Sequence, residues 1–281
     1  MRLDPTLSDS VTLPRAATGA ALGVIRLGVF VVTAVLFAGF AALLHTLRIE
    51  TRGFRRRYYV FLTRLLGLRV VVRGLQSPAR PRLVVCNHIS YFDIVALGAV
   101  IPGEFVAKAD LANWPFFGMM ARVARVVFID RKRQATLAAR DQLQERLDAG
   151  DTLIMFPEAT SGDGNRMKPF KSALFTVGER EARGPDGAKL PVTLQPVSLA
   201  YTRLNGLPMG VGWRPYVAWY GDMDLMPHLR RLLQLGTITC EITFHAPVTA
   251  SAFADRKALA AHCEQVTRDG FARLLAGRES V

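Results

Sequence analysis

Eighteen consecutive residues without a charge, Leu27 to Leu44, limit what this chain can become more than any other feature. They lie inside a longer apolar segment, Ala17 to Leu47, interrupted by Arg26, His45 and a few Thr and Gly. About twenty helical residues cover the hydrocarbon thickness of a bilayer, so this segment is expected to anchor the chain in a membrane. A cleaved signal peptide fits less well, because the segment starts late and exceeds a usual apolar signal core. A helix apolar all round can also be the centre of a large soluble domain.

Directly after it come Arg48, Arg52, Arg55, Arg56, Arg57, Arg64, Arg69 and Arg73, interleaved with Phe54, Tyr58, Tyr59, Phe61 and Leu65. By the positive-inside rule this flank is cytoplasmic. Aromatic and aliphatic residues at helical spacing beside arginines are expected to form a basic amphipathic helix in the headgroup layer. The formal net charge of +13 attracts polyanions, and an apolar content of 50% favours a membrane surface among them. No recognised nucleic-acid motif accompanies the basic run, so no nucleic-acid partner is expected. Cys86, Cys240 and Cys263 form neither a C-x-x-C pair nor an even set, which argues against a disulfide framework or a zinc site.

The expected organisation is a flexible N-terminus at residues 1–16, an anchor helix plus interfacial helix at 17–68, and a single catalytic domain at 69–281. Strands are read at Val70–Arg73, Arg82–Cys86, Phe105–Lys108, Arg125–Ile129, Thr152–Phe156, Pro191–Tyr201 and Tyr216–Tyr220, with a half-buried strand near the sheet edge at Thr237–His245. Helices are read at Ile94–Val100, Gln134–Ala149 and Asp224–Leu235, and at Ser251–Ala276 with Ser251 as its N-cap. Strands alternating with helices give the α/β class: a mixed, largely parallel sheet flanked by helices, with an N-terminal membrane-anchoring helical segment.

Val84-Val85-Cys86-Asn87-His88 reads as a buried strand breaking into a polar loop, where open α/β sheets place their sites. A histidine titrates near neutrality, so His88 can take a proton from a hydroxyl, and Asp93 can fold back to orient it. On these residues alone, a packing histidine and a helix-capping aspartate fit equally well.

Asn87-His88-Ile-Ser-Tyr-Phe-Asp93 resembles the H-x4-D block of the glycerolipid, lysophosphatidic-acid type acyltransferases. Three further stretches resemble blocks of that family in the same order: Phe128-Ile-Asp-Arg131, Phe156-Pro-Glu-Ala-Thr-Ser161 and the strand around Pro196. Lys108-Ala-Asp-Leu resembles its K-x-E-L segment. The resemblance implies that His88 and Asp93 are catalytic and that Asn87, Lys108, Arg131, Glu158, Thr160, Lys168 and Lys171 bind substrate. Lys108 could also be a surface lysine, and Arg131 could pair with Asp130. Glu158 has three open roles: contacting the acceptor hydroxyl, pairing with Arg131, or holding its loop.

Two departures matter. Ala159 stands where the family has Gly, so its backbone should have φ below zero or carry modest strain. Ser161 stands where Arg is common, which weakens phosphate binding there, although Arg166, Lys168 and Lys171 are nearby. Together with Pro196–Thr202 and Trp219–His228, this stretch resembles the branch containing lyso-ornithine-lipid acyltransferases. His228 is read as structural.

The expected reaction moves an acyl chain from an acyl-carrier-protein or coenzyme A thioester to the hydroxyl of a lysolipid, either 1-acyl-glycerol-3-phosphate or lyso-ornithine lipid. No other cofactor and no metal are expected. The bilayer, the lysolipid and the donor carrier are the partners, and the inner (cytoplasmic) membrane, with the catalytic domain on its cytoplasmic side, is the expected location. A thiolate mechanism through Cys86 is disfavoured by its place in an apolar strand. A metal-dependent hydrolase using His88, Asp93 and Glu158, or a non-enzymatic basic membrane-surface protein, are the alternatives.

Overall fold

Leu83, Val84, Val85 and Cys86 are all fully buried, because a strand covered on both faces must be apolar at every position rather than at every second one. The structure is a computed structural model that describes residues 17–108, 126–129, 137–184 and 187–278. Two helices come first, α1 (Ala17–Thr46) and α2 (Arg52–Leu65). The domain then runs β1 (Leu68–Arg73), β2 (Arg82–Cys86), α3 (Phe92–Val100), β3 (Glu104–Lys108), β4 (Val127–Ile129), α4 (Leu137–Asp148) and β5 (Thr152–Met155). After a 3-10 turn at Ser172–Val177, β6 (Glu181–Arg183) and β7 (Lys189–Pro191) form a separate ribbon. The remainder is β8 (Thr193–Leu204), β9 (Leu207–Pro208), the short α5 (Arg214–Val217), α6 (Leu225–Gln234), β10 (Ile238–Phe244), β11 (Val248–Thr249) and α7 (Arg256–Leu275).

The main sheet runs β1-β10-β8-β2-β5-β3-β4, with β9 and β11 added to β8. Its main-run pairings are parallel except β10 with β8. The expected mixed, largely parallel sheet flanked by helices is therefore present, around one hydrophobic core. Cys86 at the end of β2 pairs with Val197, and β8 continues to Leu204. That overhang carries Leu199 and Tyr201 past the end of β2, beside the loop that holds His88.

Three expectations are corrected. Tyr216–Tyr220 is not a strand: Pro215 opens the short α5, and residues after Val217 are irregular. β10 lies near the sheet edge as expected, between the edge strand β1 and β8, but it is not half-buried: it is buried at every position except Glu241. The N-cap of α7 is Asp255, whose carboxylate accepts from Lys257 N at 2.9 Å and Ala258 N at 2.8 Å, while Ser251 sits in a preceding 3-10 turn. A carboxylate meets the unpaired amides of a helix N-terminus, so an aspartate at the last extended position takes the cap.

α1 is long and apolar enough, by length and composition, to cross a membrane between Gly19 and Leu44. Near its N-terminal end, Arg26 Nη1 donates to Leu233 O at 3.1 Å and Leu235 O at 2.7 Å, at the end of α6. Gly23 lies so close to Gln234 that a Cβ would fall 2.9 Å from its Cγ. Further along, Phe37 stacks on Phe54 and on Tyr58 of α2, with centroids 5.0 and 4.1 Å apart. The opposite side, including Val24, Val32, Val35, Leu36 and Leu43, is exposed.

The basic face of α2 is narrower than its arginine count implies. Arg55 is buried against Glu104, Arg52 pairs with Asp151, and Arg56 Nε donates to Ala99 O at 3.1 Å. Arg57 and Arg64 remain exposed. The helix packs against α3 and β1 instead of standing apart from the domain.

Candidate active site

The chain leaves β2 at Cys86 and enters α3 at Phe92, and the loop between is shaped by one carboxylate. Asp93 is fully buried. Its Oδ2 accepts from Ile89 N at 2.7 Å, from Ser90 N at 3.0 Å and from His88 Nδ1 at 2.8 Å. Its Oδ1 accepts from the Tyr201 hydroxyl at 2.7 Å. The carboxylate thus folds back over the loop instead of capping α3. A carboxylate is acceptor-only, so Nδ1 of His88 carries the proton and Nε2 presents its lone pair. Nε2 has no partner among the described residues. The imidazole is one-fifth exposed and lies flat against Phe156, centroids 4.1 Å apart at 16°. Hydrogen bonding on one edge and stacking on one face leave it little rotational freedom.

Glu158 belongs to the loop after β5 and is buried. Its Oε1 accepts from His88 N at 2.9 Å and its Oε2 from Lys168 N at 2.8 Å, so among the described contacts it holds its loop to that of His88. Burial pushes its carboxyl up to about 7, although the two amides and the nearby imidazole favour the charged form. Gly162 N donates to His88 O at 2.8 Å, so the two loops are tied at a second point. Ala159 between them has φ +68, the strained alternative of the sequence reading.

The other sequence candidates separate. Asn87 is 1% exposed, and its amide spans the backbone of Leu199, giving to O at 2.9 Å and accepting from N at 2.8 Å. It clamps β8 to the loop that holds His88, in place of the substrate contact expected of it: both ends of its amide are on backbone. Lys168 Nζ donates to Ser161 O at 2.8 Å and so also holds the loop. Thr160 and Lys171 are exposed at the rim. Lys108 ends β3, on the same side of the sheet as His88, and its side chain lies outside the described residues, as does the whole of Arg131. Ser161 Oγ donates to Trp219 O, and Trp219 N donates to Ile89 O at 3.0 Å. Trp219 therefore bridges the loops that hold His88 and Glu158, and the stretch expected as a strand serves as a brace. His228 receives the Tyr91 hydroxyl or donates to it at 2.9 Å, a structural contact.

Cys86 is fully buried, and burial with the neighbouring carboxylates raises its thiol well above the usual range. It is poorly suited to act as a thiolate. Asp93 has its lone pairs committed to four donors within the protein, an environment that serves an imidazole and leaves little for a metal ion. Sequence reasoning missed Tyr201, Phe156 and Trp219. The one signal for Tyr201 was a tyrosine inside an otherwise apolar strand, since a buried phenol needs a hydrogen-bond partner.

The acyltransferase family model matches residues 69–200. A lyso-ornithine lipid O-acyltransferase of Brucella abortus is 42% identical over 232 residues, covering 81% of this chain and 86% of its own length. The chain belongs to the acyltransferase family. It is accordingly an enzyme of that class. A lyso-ornithine lipid O-acyltransferase of Rhizobium meliloti is 36% identical, covering 81% of this chain and 77% of its own length. A 1-acyl-sn-glycerol-3-phosphate acyltransferase of Neisseria gonorrhoeae is 32% identical, over 72% and 74% of the two chains. The crystal structure of the 1-acyl-sn-glycerophosphate acyltransferase of Thermotoga maritima superposes with a TM-score of 0.66 at 20% identity, over 93% of this chain and 97% of that one. That likeness is one of fold.

Proposed function

We propose that this acyltransferase moves a fatty acyl chain from a thioester donor, acyl carrier protein or coenzyme A, to the free hydroxyl of lyso-ornithine lipid at a membrane surface. The observation that carries the reading is the 2.8 Å contact between His88 Nδ1 and Asp93 Oδ2, which leaves Nε2 as a base. Nε2 takes the proton from the acceptor hydroxyl as its oxygen attacks the thioester carbonyl. The new C–O bond forms, the C–S bond breaks, and the leaving thiolate receives the proton from the imidazolium that Asp93 stabilises. No covalent acyl-enzyme is required, in keeping with the buried Cys86.

Lyso-ornithine lipid is preferred over 1-acyl-glycerol-3-phosphate for two reasons. Relatives named for that acceptor are matched at up to 42% identity, against up to 33% for those named for the phosphate-bearing one. In addition, Ser161, where an anion-binding arginine is common, is turned to the Trp219 carbonyl.

The exposed apolar side of α1 supports membrane association, with 17–68 as the anchoring segment and 69–281 as the catalytic domain on the cytoplasmic side. α1 holds to α6 near one end and to α2 further along. A helix fixed at both places lies along the domain, and its apolar side enters the membrane in the plane of one leaflet.

Mass spectrometry of the product, with both lysolipids offered together and the two donors in separate tubes, tests the reading. Acylated ornithine lipid should dominate, His88→Ala should lower turnover by about 100-fold or more, and exhaustive chelation should change nothing. Full turnover by His88→Ala would end the base assignment, and acylated glycerol phosphate as the main product would reverse the acceptor.

A further inference from the structure

The dyad has a third member that no sequence motif marks. Tyr201 is 2% exposed on β8, paired across the strands with Cys240, and its hydroxyl reaches Asp93 Oδ1 at 2.7 Å. We propose that Tyr201 is a positioning residue for the reaction, holding the second oxygen of Asp93 so that the first stays on the imidazole of His88 and the charge it offers is set. The inference rests on His88 and Asp93 acting as the base pair described above.

Three features support it. The strand is fixed: Asn87, next to His88 in sequence, grips both backbone polar groups of Leu199, two residues before Tyr201. The phenol therefore approaches Asp93 from a rigid wall tied to the same loop it serves. Next, the donors are divided unevenly, with three on Oδ2 and the tyrosine on Oδ1. Without the hydroxyl, a fully buried carboxylate oxygen would have no donor among the described residues. Finally, burial first, and the Asp93 charge after it, raise the phenol well above its usual range, so it stays a donor at every working pH.

A hydrogen bond to a carboxylate draws charge from it. With Tyr201 in place, less charge faces the imidazolium; without it, the imidazolium is held more tightly, so a smaller fraction is free imidazole at a given pH, and Oδ2 is no longer kept on Nδ1 by a partner on Oδ1. Tyr201→Phe removes one oxygen from the site and should lower kcat about tenfold while KM stays within about twofold. The acid limb of the kcat/KM profile should move up by about half a pH unit. Replacing Tyr201 by 3-fluorotyrosine, a stronger donor, should move that limb the opposite way.

Opposed shifts are the signature of charge tuning, which a residue that only fills space would not give. Thermal unfolding of each variant accompanies the kinetics. If the Phe variant does not fold, the fluorinated chain, which keeps the hydroxyl, decides alone. Profiles that overlay wild type, or a loss expressed in KM, overturn the proposal. If His88→Ala is inactive while the Tyr201 variants match wild type, this inference falls by itself. If His88→Ala is active, the base assignment beneath it falls too.

Discussion

Glu158 lies between the backbone amides of His88 and Lys168, and burial drives its carboxyl up to about 7 from the ordinary 4.5. In the unfolded chain the same group loses its proton near 4.5, so between 4.5 and 7 the folded state holds more protons. Stability from this group is fully present below about 4.5 and is lost as pH rises through about 7, a total of about 3 kcal/mol. Glu158→Gln cannot ionise, so its unfolding free energy in denaturant should lose that slope between about pH 4.5 and pH 7. A variant that follows wild type across this range would locate the titration elsewhere.

The neighbouring Ala159, at φ +68, pays the left-handed penalty that glycine avoids. Ala159→Gly should raise stability by up to about 1 kcal/mol, the gain being reduced by the freer unfolded chain. The midpoint of unfolding checks this, and kcat should be unchanged. His88, Asp93 and Glu158 were singled out because the stretches that hold them resemble family blocks; taken alone, those residues left a packing histidine and a capping aspartate equally open. Tyr201 was not singled out, because it meets Asp93 across 108 residues and only the register of β8 brings them together.

Among the elements, those with an internal pattern were the readable ones. After a polar first residue, Arg82 or Thr152, β2 and β5 are apolar runs, the pattern of a strand buried on both faces. The run from Tyr216 was misread because its aromatic residues pack around a loop, which leaves the same composition as a strand. The role of α2 was hidden for a different reason: its arginines looked like a surface face, and their partners lie far away in sequence. Glu104, 1% exposed, meets Arg55 at 3.4 Å and Arg146 at 3.3 Å, joining α2 to β3 and α4. Breaking a buried pair from one side strands the remaining charge. Glu104→Gln should therefore cost about 3 kcal/mol, whereas Arg55→Met with Glu104→Met should recover a large part of that loss. A double loss equal to the sum of the losses measured for Glu104→Met and Arg55→Met alone would mean that the pair carries no coupling.

At the scale of the whole molecule, the question is how a 30-residue apolar helix relates to the domain beside it. At 1.5 Å per residue α1 is about 45 Å long, enough to span a bilayer, and length and composition alone favour that outcome. The contacts oppose it. Arg26 donates to the last carbonyls of α6, and Phe37 stacks on α2, so the helix is held flat along the domain from both parts of its length. Drawing α1 across the membrane would strip Arg26, which flanks the uncharged run Leu27 to Leu44, of both carbonyls. Single cysteines at Val24, Val35 and Leu43 can report the geometry, since Cys86, Cys240 and Cys263 are buried and will not compete for label. With a fluorophore at each position, quenching by lipids brominated at graded depths should give one shallow depth for all three. A spanning helix would instead give a deep middle and shallow ends. Arg26→Leu removes both the latch and the charge, so its label at Val24 should move deeper than in the parent chain. Unchanged depth in that variant would assign the flat arrangement to the α2 contacts, and a depth gradient in the unsubstituted chain would refute it altogether.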